Sequence, residues 1–127
     1  MIATINMFRN VCAHDSRLYC YRINDLDKQI SDMPIHTFMN IDTSSLGSKT
    51  VFNYGKQDLF SAVIALKYLI DDVSFCGLVD SIKEEINLLV PKLHTISIND
   101  ILLKMGFPIG STSGQKDWYE IRNLPKF

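Results

Sequence analysis

Residues 9–19 read RNVCAHDSRLY, and within them Arg9, Asn10, His14 and Arg17 are residue types that handle phosphates and protons. An imidazole can move a proton near neutral pH, and a guanidinium can hold a phosphate through paired donors. Together they are the minimum set for cleaving RNA without a metal. The ribose 2′-hydroxyl attacks the adjacent phosphorus, His14 acts as general base or acid, and Arg9 or Arg17 stabilises charge on the phosphorane. DNA lacks that hydroxyl and would resist. On a helical wheel Asn10, His14 and Arg17 form a stripe at i, i+4 and i+7, so Asn10 can fix the imidazole tautomer from one turn away. The stripe borders an apolar arc of Ile5, Met7, Phe8, Val11, Cys12, Leu18 and Tyr19, which sets His14 at the edge between core and solvent. There, partial desolvation could tune it. Arg9 lies five positions before His14 and points elsewhere, so it must wrap round the helix, or two copies of the motif must meet. A hydrogen-bonded boundary histidine with surface arginines explains the same residues without catalysis.

The elements that must carry this motif are helical. Residues 2–21 hold apolar positions at helical spacing with no internal Gly or Pro, which predicts a first helix. A second, short helix is expected over 24–31, ended by Pro34. Residues 42–55 contain TSSLGSK and lack strong periodicity, which reads as a long loop. The clearest helix covers 57–72 and is apolar nearly all round, as a central bundle helix is. Another is expected over 75–90, capped by Ser74 and stopped by Pro91. Its adjacent acids Glu84 and Glu85, like Asp71 and Asp72, read as a solvated face, since sequence neighbours do not share a helix face. A short helix over 99–105 closes on Gly106. Trp118 in the tail is expected to pack back onto the bundle. The stretch GSTSGQKD at 110–117 lacks the glycine spacing, preceding strand and Ser or Thr of a phosphate-binding loop, and reads as a surface loop. The fold class expected is all-α, a single domain over residues 1–127.

Composition sets limits on partners. The 127 residues carry 13 basic and 14 acidic side chains, for a net charge of -1, which excludes a protein that coats nucleic acid indiscriminately. The charge is uneven. Residues 1–22 hold Arg9, Arg17 and Arg22 against Asp15, and residues 104–127 hold Lys104, Lys116, Arg122 and Lys126 against Asp117 and Glu120, so both ends are basic and the middle is acidic. Arg17 and Arg22 are therefore the candidate substrate-binding residues beside the motif. Cys12, Cys20 and Cys76 are at no metal or redox spacing, and Cys12, His14 and Cys20 lack a fourth ligand for zinc, so no metal or cofactor is expected. Lacking an apolar run long enough for a bilayer and a secretory leader, the chain is expected in the cytoplasm.

The pattern Arg9, Asn10, three residues, His14 is similar to the arginine, polar residue and histidine signature of HEPN ribonuclease domains. The wider stretch RNVCAHDSRLY resembles the bacterial abortive-infection (Abi-like, AbiD/AbiF) family. VFNYGKQDLFSAVIALKYL, at 51–69, is similar to that family's aromatic-rich loop and central helix, and ILLKMGFP with Trp118 to its C-terminal elements. The resemblance implies an α-helical HEPN-like bundle that dimerises, metal-independent endoribonuclease activity, and a role in phage defence through damage to host RNA. An antitoxin or a phage-derived trigger would then control it. Carried over by residue, Arg9 and His14 match the catalytic pair and Asn10 the accessory polar position. Relatives of this kind have a long segment upstream of the motif, so the chain is expected to be the C-terminal part of such a protein or a shortened relative, its bundle incomplete at the N-terminus. A second copy would supply the missing apolar surface. The alternative is a catalytically inactive module that binds RNA, nucleotide or protein.

Overall fold

The structure is a computed structural model, which describes residues 1–14, 21–24, 28–30, 33–39, 43–46, 49–52, 55–110 and 117–125. The fold is all-α. Its helices are α1 (Ile2–Ala13), α2 (Pro34–Phe38), α3 (Leu59–Leu69), α4 (Asp72–Leu89) and α5 (Ile98–Lys104), with 3-10 turns at Val90–Lys92 and Trp118–Asn123.

α3 occupies the centre because its sequence offers water almost nothing. Phe60, Ala62, Val63, Ile64 and Ala65 are all buried. It starts at residue 59 because Asp58 caps it, the carboxylate accepting the Ser61 N–H at 3.1 Å. α1 lies against α3, and its buried residues Thr4, Phe8 and Val11 are spaced at i, i+4 and i+7, the Thr4 hydroxyl donating to the Lys28 carbonyl at 2.7 Å. Phe8 joins Ile23 and Ala62 in a small apolar cluster, with Tyr21 edge-on at 5.6 Å. Two further stitches fix the entry to α3, the Ile23 N–H donating to the Gln57 carbonyl at 2.8 Å and the Ile30 N–H to that of Lys56 at 3.0 Å.

α4 starts at Asp72, three residues earlier than expected. Its cap is Asp71, whose carboxylate accepts the Ser74 N–H at 2.9 Å, so Ser74 sits inside the first turn and does not cap it. Phe75 and Val79 are its buried residues, and Pro91 ends it inside the following 3-10 turn. α5 is capped by Ser97 and closes on Gly106 at φ 78°. The Gly106 N–H returns to Leu103 at 3.0 Å and the Phe107 N–H to Leu102 at 2.9 Å, the paired bonds of a Schellman motif. The turn aims Phe107 inward, where its ring meets Phe60 and Trp118, each at 5.2 Å. Trp118 is buried, as expected, and α4 clasps its segment: Arg122 grips Asp80 at 2.8 and 3.1 Å, and the Tyr119 hydroxyl donates to Asp80 at 2.7 Å.

Three expectations change. The first helix ends at Ala13, and residues 21–24 lie outside any helix. Pro34 opens α2, where its fixed φ suits the first helical position and its missing N–H is no loss. Of the expected helix over 24–31, the described residues Asn24, Gln29 and Ile30 lie outside any helix and Lys28 is in a 3-10 turn, while the other positions lie outside the described residues. The loop over 42–55 contains a two-stranded antiparallel hairpin, β1 (Thr43–Leu46) with β2 (Lys49–Phe52), in the register Thr43 opposite Phe52. Gly47 and Ser48 stand between the strands in sequence, a pair suited to a two-residue connection. The 110–117 stretch is described only at Gly110 and Asp117, so its loop reading lies outside the described residues.

Candidate active site

The buried face of α1 decides where the motif points. With Thr4, Phe8 and Val11 turned inward, roughly 100° of rotation per residue puts Arg9 and Asn10 on either side of the outward pole. Both are exposed, and so is His14. Arg9 and His14 lie roughly 140° apart on the wheel, so a guanidinium at 9 reaches the histidine side only by wrapping. The Arg9 side chain does bend that way, Nη2 donating to Asn10 Oδ1 at 3.3 Å. Asn10 also touches position 14 through the main chain, its carbonyl accepting the His14 N–H at 3.0 Å. Asn10 is thus bonded to both partners, by its side chain to one and by its backbone to the other.

His14 is the residue after the helix, with φ -96° and ψ 11°. It therefore stands in solvent and not at the core border that an uninterrupted helix would give it. Arg17, with Asp15 and Cys20, lies outside the described residues. Among the described residues no three His, Cys, Asp or Glu side chains are grouped to hold a metal.

Arg22 has a different occupation from the one expected. Its Nη1 lies 3.0 Å from Asp58 Oδ2, and the aspartate side chain is fully buried while the arginine keeps about a third of its surface. Asp58 also accepts the Gly55 N–H on both oxygens, at 3.1 and 2.9 Å. Burial pushes the Asp58 carboxyl up to about 6, against the opposing pull of the Gly55 N–H, the Arg22 charge and the Ser61 N–H. A buried carboxylate without its cation is costly, so Arg22 serves the fold by pairing with it.

Several polar groups that sequence reasoning missed are also buried. His36 is fully buried, its Nδ1 accepting the Met33 N–H at 3.2 Å. The proton then sits on Nε2, which donates to the Gly55 carbonyl at 2.8 Å. Gly55, at φ 82°, is held from both sides by His36 and Asp58. Lys67 on α3 is buried as well, donating to the Ile121 carbonyl at 3.0 Å with the Phe75 ring 5.0 Å away. Of these, only the Asp58 cap had a readable signal, an aspartate directly before an apolar run.

Comparison with protein-family models, with characterised proteins and with solved structures finds no match for this chain. No helix among the described residues is long and apolar enough to cross a membrane.

Proposed function

We propose that this chain is a metal-independent endoribonuclease of the HEPN type, acting in abortive-infection phage defence. His14 moves the proton of the 2′-hydroxyl or of the leaving oxygen, Arg9 stabilises the phosphorane, and Asn10 holds Arg9 toward the histidine side. The observation that carries the reading is the Arg9 Nη2 to Asn10 Oδ1 bond at 3.3 Å, which draws a guanidinium round the helix toward a solvent-reachable imidazole. Both functional groups are open to a substrate as large as RNA. A homodimer completes the proposal: one exposed helix end is convex, and a second motif facing it would enclose the phosphate. The test is RNA cleavage in the presence of EDTA, with wild type beside His14→Ala and Arg9→Ala. Loss in both variants is expected, and equal cleavage by all three would refute the assignment.

One observation favours a second reading. Arg9, Asn10 and His14 are all exposed, and a catalytic site in most enzymes is concave. A module that binds RNA without cutting it needs no cleft. It would bind RNA less tightly as salt rises and leave the strand intact.

A further inference from the structure

α3, α4 and α5 leave between them an open groove of about 750 Å³ with aliphatic walls. Leu66 lines it from α3, Leu78, Ile82 and Ile86 from α4, and Ile101 from α5. The α4 wall runs from Leu78 to Leu89, which is about 16 Å or three turns of helix. Past Leu89 the apolar surface continues into the connection to α5, where Val90 and Ile96 are 43% and 52% exposed. A slot of this length suits a helix laid lengthwise, its apolar side chains at i, i+3, i+4 and i+7 entering between the walls.

The charges on α4 select the chemistry of the occupant. α4 carries four acidic side chains and one lysine. The lysine, Lys83, lies over the rings of Trp118 and Tyr119 at 5.9 and 5.5 Å, and Asp80 is held by Arg122. Glu85 lines the groove, one turn from Ser81 on the same edge, and among the described residues it forms no ion pair. We propose that the groove is the docking site for a basic amphipathic helix of a different protein, its apolar stripe on the α3, α4 and α5 walls and a Lys or Arg beside that stripe on Glu85. A second copy of this chain fits less well, because a two-fold contact through this face lays groove on groove and fills neither. The dimer proposed above meets through α1, so the docking site goes beyond that reading and holds whether or not the chain cuts RNA.

Fluorescence anisotropy with the full chain tests it. The probe is a labelled Leu/Lys peptide of about 18 residues, long enough to hold a helix, with leucines at i, i+3, i+4 and i+7. The controls are a peptide of the same composition with its leucines spread round the helix, and the striped peptide with Glu for every Lys. The striped Leu/Lys peptide should bind at about 10 µM or tighter, and each control at least about tenfold more weakly. With circular dichroism confirming that each variant folds, Leu89→Asp should weaken binding about tenfold and Glu85→Lys about fivefold, and Glu85→Lys should strengthen the Leu/Glu peptide by as much. No binding at about 100 µM, or equal binding of the spread peptide, overturns the site. Indifference to Leu89→Asp overturns its place in the groove, and indifference to Glu85→Lys overturns the basic partner. If sedimentation shows a dimer that the peptide dissociates, or if dodecylammonium binds more tightly than the peptide, the occupant is a second copy or a small amphiphile and the proposal falls.

Discussion

Gly106→Ala should be among the most destabilising single-methyl additions this chain can receive. Two separate causes add. Position 106 has φ 78°, which an L-residue adopts at a cost of about 1–2 kcal/mol. The new Cβ would also overlap the carboxylate of Asp58. That carboxylate is the cap of α3, the acceptor of two backbone N–H groups and the partner of Arg22. It cannot turn aside without losing bonds of a charged group, each worth about 1.5–3 kcal/mol. A total near 3–5 kcal/mol follows, a large share of the stability of a domain of this size. In melting temperature the loss is about 10–20 °C.

Gly77→Ala is the internal control, because Gly77 is helical and a Cβ there meets nothing within 4 Å. It should stabilise by about 0.5–1 kcal/mol. Urea denaturation of wild type and both variants gives the three values. Repeating Gly106→Ala in an Asp58→Ala background isolates the collision, leaving only the backbone cost of about 1–2 kcal/mol. If Gly106→Ala lies within 1 kcal/mol of wild type, or costs as much without Asp58 as with it, the packing argument is wrong.

The remaining predictions follow from other contacts. Asp58 has a carboxyl raised from 3.8 to about 6, so the native state binds a proton that the unfolded state has released, and its contribution to stability is lost as pH rises from about 4 to about 6. Urea midpoints across that range should fall by an amount equivalent to about 3 kcal/mol in wild type and stay flatter in Asp58→Asn; parallel profiles would contradict it. In the clasp, the Arg122 and Tyr119 hydrogen bonds hold the Asp80 carboxyl below its usual range, and the bond to Asp80 raises the Tyr119 phenol. Asp80→Asn should return the Tyr119 phenol toward the ordinary tyrosine value, as read by NMR of ring-labelled tyrosine, and an unmoved titration would deny the bond. Asn10→Ala should release Arg9 and lower RNA cleavage less than His14→Ala does, with an unchanged melting curve; a drop in melting temperature would make Asn10 a residue of the fold.

What could be read from the sequence was whatever depends on neighbours in the chain. The apolar circuit of α3, the Gly106 stop and the return of Trp118 are local statements, and they stand. Pro34 was ambiguous because a proline fits either the end of one helix or the first turn of the next, and only the burial of Ile35, His36 and Met39 decides for the latter. The hairpin was hidden because its strands are rich in Thr and Ser, with no apolar alternation, although LGSK is a reasonable turn. Asp58 carries the signal of a cap, an aspartate before an apolar run, although the apolar period alone starts the helix at 57. Its pairing with Arg22, and the convergence of His36 and Asp58 on Gly55, join residues far apart in sequence and carry no local signal.

The end of α1 shows the same limit where it bears on function. Nothing in AHDSRLY breaks a helix, and Leu18 and Tyr19 even keep the apolar period. The helix nevertheless stops at Ala13, and the segment beyond delivers Tyr21 to Phe8, Arg22 to Asp58 and the Ile23 N–H to Gln57. A helix continued through residue 21 would rise about 30 Å from residue 2 and carry those groups off the end of α3. Tertiary demands from 57 and 58 therefore override local propensity at 14. Stopping there also turns His14 from a boundary residue into an exposed one, which makes the imidazole's chemistry depend on what covers it.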